Sequence, residues 1–167
     1  MDRKLCSMMA GMTGSAALTV AHQAARLVMP HAPRMDVLGK RALRGAYRQL
    51  GLAPRGDREL EREALAGDMV ANSAYYSLVG LGSRESVWMR GLGLGLAAGI
   101  GAVMLPRPLG LGDPPNAHRV ETQLMTVAWY VLGGLMAAAA FAARDGAESQ
   151  PAPAVRPQRP LTRHASR

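Results

Sequence analysis

Residues 122–143 form a run of 22 without a formal charge in a chain of 167 residues, and three similar stretches accompany it. Residues 5–25 are uncharged, 87–105 carry only Arg90, and 64–83 carry only Asp68. A helix rises about 1.5 Å per residue, so about 20 residues cross a hydrocarbon core of roughly 30 Å. All four stretches meet that length. Helices that are apolar on every face belong in a bilayer or at the centre of a large protein. A chain of this size is too small to enclose four of them. The pattern therefore predicts an all-α fold: a four-helix transmembrane bundle in one membrane domain, 1–144, with spans over about 5–29, 64–83, 87–105 and 120–143. Arg90 can snorkel to the headgroups from its place near a span end.

Whole-chain averages conceal this arrangement. Mean hydropathy is −0.01 because the charges are gathered between the apolar runs. They make up 19% of the chain, against roughly 25% in typical soluble domains. The single cysteine, Cys6, excludes an internal disulfide and any multi-cysteine metal or redox site. Asp2-Arg3-Lys4 ahead of an apolar stretch, with Thr19-Val20-Ala21 as a cleavage motif, admits a signal peptide as an alternative. The stretch is long for a signal core, which favours a retained first span.

Pro30 and Pro33 stop the first helix, because proline cannot continue one. Residues 35–50 then read as an amphipathic helix, with Met35, Leu38, Ala42, Ala46 and Leu50 along one face. Lys40, Arg44 and Arg48 form a basic stripe with Arg41 beside it. Such a helix either lies on anionic lipid headgroups or packs on the end of the bundle with its basic face in water. Residues 145–167 are rich in proline and arginine and read as a disordered tail. Without interleaved aromatics, neither the tail nor the basic loop suggests nucleic acid as a partner. The expected partners are the lipid bilayer and a membrane protein or a second copy of the chain.

Gly93-Leu94-Gly95-Leu96-Ala97-Ala98 matches a dinucleotide fingerprint, but no strand precedes it and no βαβ unit surrounds it. The same glycines have a better account. Gly91, Gly95 and Gly99 are spaced by four, as are Gly93, Ala97 and Gly101, and Gly134 opens a similar stripe with Ala138 and Ala142. Ala17, Ala21 and Ala25 repeat it in the first helix. Small residues at that spacing let helix backbones approach closely in lipid. No P-loop, H-E-x-x-H, G-x-S-x-G or paired-cysteine motif occurs, and no cofactor, metal or catalytic residue is expected.

Polar residues concentrate at one membrane level. In a hairpin topology His22, Arg26, Asp68, Asn72 and Glu121 share a leaflet, with Tyr75 and Tyr76 a turn deeper. Charge at depth is costly unless paired, so Asp68 is expected to meet His22 or Arg26 in the bundle interior. That cluster is either a solute site or proton path, or a structural pair that sets helix register. Three functions follow: an accessory or solute-binding and transport component; a membrane-embedded enzyme using His22, Asp68 or Glu121 as acid or base; or a binding module acting through the basic loop and tail. The location expected is the plasma (inner) membrane, multi-pass. Basic residues favour the 30–63 loop on the cytoplasmic side, while Arg3-Lys4 argues the reverse.

His22…Arg26, Ala32-Pro33-Arg34-Met35-Asp36, Ala66-Gly67-Asp68, Asn72 and Tyr75-Tyr76 make the chain resemble a group of small uncharacterised bacterial multi-span integral membrane proteins, over about residues 10–142. The resemblance implies a helical membrane protein. It implies no activity, ligand or catalytic residue.

Overall fold

The computed structural model describes residues 2–53 and 55–148, with side chains as far as 144. Among these the chain forms five α-helices and no strand: α1 (Arg3–Val28), α2 (Met35–Gln49), α3 (Asp57–Ser77), α4 (Val87–Met104) and α5 (Val120–Glu148). A single 3₁₀ turn, Leu78–Gly80, follows α3.

Local chemistry sets the helix ends. The Asp2 side chain caps α1 by accepting from the Lys4 N–H at 3.3 Å, and α1 stops just short of Pro30. Gly51, at φ +67°, closes α2. The N–H of Leu52 reaches the Tyr47 carbonyl and that of Gly51 the Arg48 carbonyl, so a left-handed residue satisfies carbonyls the helix leaves open. Asp57 and Glu59 occupy the first turn of α3, where the helix dipole favours acids.

The end of α3 departs from the expected 64–83 span. The helix stops at Ser77, so its charge-poor part, 64–77, is roughly 21 Å long. Two arginines take the carbonyls beyond it. Arg3 donates to Gly80 at 3.2 Å and to Gly82, and Arg90 donates to Val79 at 3.0 Å. Arg90 is thus folded inward on a turn rather than extended toward headgroups, because those carbonyls lie within its reach.

Two helices, α4 and the 120–144 part of α5, are long and apolar enough to cross a membrane. α1 and α3 do not meet the combined test of length and hydropathy. Serines, threonines, His22 and Gln23 dilute α1, and the charged turns of α3 take up length. α5 runs to Glu148, so helix continues into the stretch expected to be a tail. The remainder of that tail, 149–167, lies outside the described residues.

α4 packs along α5, α5 along α1 and α1 along α3, whereas α3 and α4 share almost no backbone contact. α2 lies on α3, with Gly39 seated against Ala64. The closest seam joins α4 and α5. A Cβ on Gly91 would stand 2.6 Å from the Gly134 carbonyl oxygen, and one on Gly99 would stand 2.7 Å from the Val127 Cα. The second small-residue row of α4 has another role. Gly93 faces open space, while Ala97 and Gly101 line a cavity. On α1 the close approaches are made by Gly11 against α3 and Gly14 against α5; of the expected alanine stripe, Ala25 is buried and Ala17 and Ala21 only partly so. The largest side chains of the core include Tyr76, Phe141, Leu18 and Val79.

Candidate functional site: a crevice between α3 and α4

Because α3 and α4 do not close on each other, a crevice of about 710 Å³ lies between them, in the half of the fold nearest α2. Thr19 and His22 of α1 and Tyr130 of α5 form its base. Asp68, Ala71, Asn72 and Tyr75 of α3 face Ala97, Ala98, Gly101 and Ala102 of α4. Met35, Leu38 and Ala42 of α2, with Leu109 and Leu111, close its outer end. Arg26, Asp36 and Glu61 stand at that end as well.

Helix spacing explains the base. His22 continues the buried stripe of Leu18 and Ala25 on α1. Its ring meets Tyr130 edge-on, with centroids 5.8 Å apart. The His22 Nε2 and the Thr19 hydroxyl are both buried without a hydrogen-bond partner. Asn72 stands one turn beyond Asp68 on the same face of α3, and both line the crevice. Tyr75 ties α3 to α4 by donating to the Leu94 carbonyl at 3.0 Å.

The expected pair between Asp68 and Arg26 or His22 is not formed. Arg26 lies 3.6 Å from Asp36 and 3.9 Å from Glu61, and it donates to Gln23. The reason is level. Arg26 sits in the last turn of α1, beside the start of α2 and the second turn of α3, so two carboxylates lie closer to it than Asp68 does. Glu121 also lies apart from the crevice. It is exposed and 3.4 Å from Arg119. Tyr76 is in the core, where its hydroxyl donates to the Tyr130 carbonyl at 2.7 Å. The polar cluster read from the sequence therefore divides. His22, Arg26, Asp68, Asn72 and Tyr75 line one crevice, and Tyr76 and Glu121 stand outside it.

At the α2 end, Asp36 accepts both Arg34 Nε and Nη2 at 2.9 Å. Burial alone would push the Asp36 carboxyl up. The Arg34 hydrogen bonds and the nearby charges of Arg26, Arg34 and Lys40 outweigh it and hold the group below its ordinary value. Tyr47 donates to Glu63, and that bond raises the Tyr47 phenol above its usual range. Two residues of the basic stripe are occupied by protein. Arg41 donates to the Leu111 and Asp113 carbonyls at 2.8 and 3.0 Å, and Arg44 pairs with Asp57. Arg48 reaches back to the Arg44 carbonyl, and Lys40 stands half-buried near Asp36.

Sequence reasoning missed Tyr130, Asp36 and Glu61. Thr122, Thr126 and Tyr130 recur at four-residue steps on an otherwise apolar helix, which marks an inward polar face. No comparable local signal marks Asp36 or Glu61, since only the folding of α2 against α3 brings them to Arg26. Among the described residues, no group of three or more His, Cys, Asp or Glu is placed to hold a metal ion. The dinucleotide-like glycines lie inside α4, with no strand before them. Comparisons with protein-family models, curated proteins and solved structures found no match.

Proposed function

We propose that the chain is a small multi-pass integral membrane protein of the plasma (inner) membrane, with α1, α3, α4 and α5 crossing as a four-helix bundle. In this proposal the crevice binds a solute for an accessory or transport function. The resemblance to small bacterial multi-span proteins belongs to the same proposal.

The crevice is the observation that carries solute binding. It is large enough for a small organic molecule, mostly apolar, and lined by a few polar side chains, Asp68, Asn72 and His22 among them. Support for the membrane comes from the outward faces. Met8, Met12 and Val20 of α1, Met69 and Val70 of α3, Met89, Ile100 and Met104 of α4, and Leu124 and Met136 of α5 are all exposed. Their inward counterparts include Gly14, Gly91, Gly95 and Gly99. Lipid favours small residues within and large apolar ones without, whereas in water so much exposed apolar surface is a liability.

Two observations weigh against an enzyme built on the expected acid–base groups: His22 has no carboxylate partner, and Glu121 is remote. Arg41 and Arg44 are engaged within the protein, which weakens a role for the basic loop as a binding module.

Two measurements test the proposal. Alkaline carbonate washing should leave the full-length chain in the membrane pellet; release into the wash rejects membrane integration. Mass spectrometry of the protein purified in mild detergent should find a small molecule that is lost when Ala97→Trp fills the crevice. Equal recovery from both proteins rejects the crevice as its site.

A further inference from the structure

We infer that the crevice takes a lipophilic cation: a protonated amine on an apolar body, its charge held against Asp68. This rests on the crevice being a binding site, and it specifies the ligand chemistry.

Charge placement carries the inference. At the α2 end Arg26, Arg34 and Lys40 stand about two carboxylates, Asp36 and Glu61. Arg26 lies near both acids, and Arg34 binds Asp36 through two hydrogen bonds. The acids of that group thus have their own cations. Asp68 lies deeper, half-buried on the crevice wall. Asn72 stands one turn from it on the same face of α3, and no cation among the described residues pairs with it. Drawing Arg26 inward would strip Asp36 and Glu61 of their shared partner. An anionic ligand would place a second negative charge beside Asp68, and a neutral one would leave the half-buried carboxylate without a counter-charge unless it took up a proton. A cation removes both penalties.

The remaining surfaces fit an organic ammonium better than a metal ion. One carboxylate, one imidazole and one amide are a poor donor set for a metal, and among the described residues no three His, Cys, Asp or Glu side chains gather to hold one. An ammonium has several N–H donors. One can bond the Asp68 carboxylate, which lines the crevice, while the others stay free for water at its open side. Ala97, Ala98 and Ala102 of α4 leave room for a hydrocarbon body, and the unclosed gap between α3 and α4 lets an amphiphile enter.

The test uses the full-length protein in a non-ionic detergent at neutral pH. Three fluorescent probes share one apolar body: 1-naphthylmethylamine, 1-naphthylmethanol and 1-naphthoate. The amine should bind about tenfold or more tighter than either comparator, a difference of about 1.4 kcal/mol or more. Asp68→Asn should reduce the amine to the level of the alcohol while leaving alcohol binding intact, and Ala97→Trp should weaken both. Naphthoate binding as tightly as the amine, an amine preference that survives Asp68→Asn, or amine binding unchanged by Ala97→Trp each overturns the inference. Should Asp68→Asn fail to fold, the wild-type preference and its loss in Ala97→Trp decide the matter. Equal binding of amine and alcohol overturns the cation and leaves solute binding standing. No binding by any probe overturns both.

Discussion

A Cβ on Gly95 of α4 would lie 2.6 Å from the Cα of Val131 on α5. The two helices therefore meet backbone to backbone, and no rotamer change in either one could make room. The neighbouring Gly93, two residues away and on another face, has nothing within 4 Å of the same position.

Gly95→Ala should lower stability in detergent by about 1–3 kcal/mol, the usual effect of overpacking a filled interface. Gly93→Ala should be neutral or stabilising by up to about 1 kcal/mol, since alanine costs less helix entropy than glycine. Chemical denaturation of the two variants side by side gives the comparison. Equal loss at both positions would contradict the close seam.

Tyr76→Phe should destabilise by about 0.5–1.5 kcal/mol, because it deletes the hydrogen bond to the Tyr130 carbonyl in the core. Tyr76→Ala should cost about 3–5 kcal/mol by opening a cavity between α1, α3 and α5. Thermal melting of both variants checks the order. A phenylalanine variant as damaged as the alanine one would place the value of Tyr76 in its hydroxyl instead of its ring.

Acid should weaken the α2 end. The Asp36 carboxyl is held below its ordinary value of 3.8 by its arginines. A carboxyl depressed in the folded state stabilises the fold above its unfolded value and loses that contribution as pH falls through the lower, folded value. Stability should thus be level from neutrality to about pH 5 and should fall below about pH 4. Asp36→Asn should be less stable at neutral pH and should show a shallower acid fall. Melting temperature against pH for both proteins measures this.

Cysteines at Met12 and Val70 test whether α1 and α3 span. Both positions are exposed and apolar, so in intact membranes a charged, membrane-impermeant maleimide should leave Met12→Cys and Val70→Cys unlabelled until detergent is added. Arg48→Cys, on the exposed face of α2, should label whenever its side of the membrane is open to reagent. Ready labelling at positions 12 and 70 from either side would place α1 and α3 in water.

The helices themselves were legible in the sequence because they depend on local signals. Charge-free runs, Pro30 after α1, Gly51 after α2 and the four-residue spacing of Gly91, Gly95 and Gly99 act over one or two turns, where neighbouring residues alone decide the outcome. The end of α3 was not legible, since Ser77 is where it stops partly because Arg3 and Arg90, distant in the chain, take the carboxyl-end carbonyls of the following turn.

The same physics separates the two halves of the polar cluster. Sequence by itself determined which residues share a helix face, and so placed His22 with Arg26 and Asp68 with Asn72. Only the tertiary structure decided who meets whom. The order α3, α1, α5, α4 leaves α3 and α4 apart, and α2 folded against α3 brings Asp36 and Glu61 to Arg26 before Asp68 can reach it. Pairing between charges falls off with distance and requires side chains at one level. A helix pattern specifies face and approximate depth, but the neighbour across the gap depends on the packing of the whole chain.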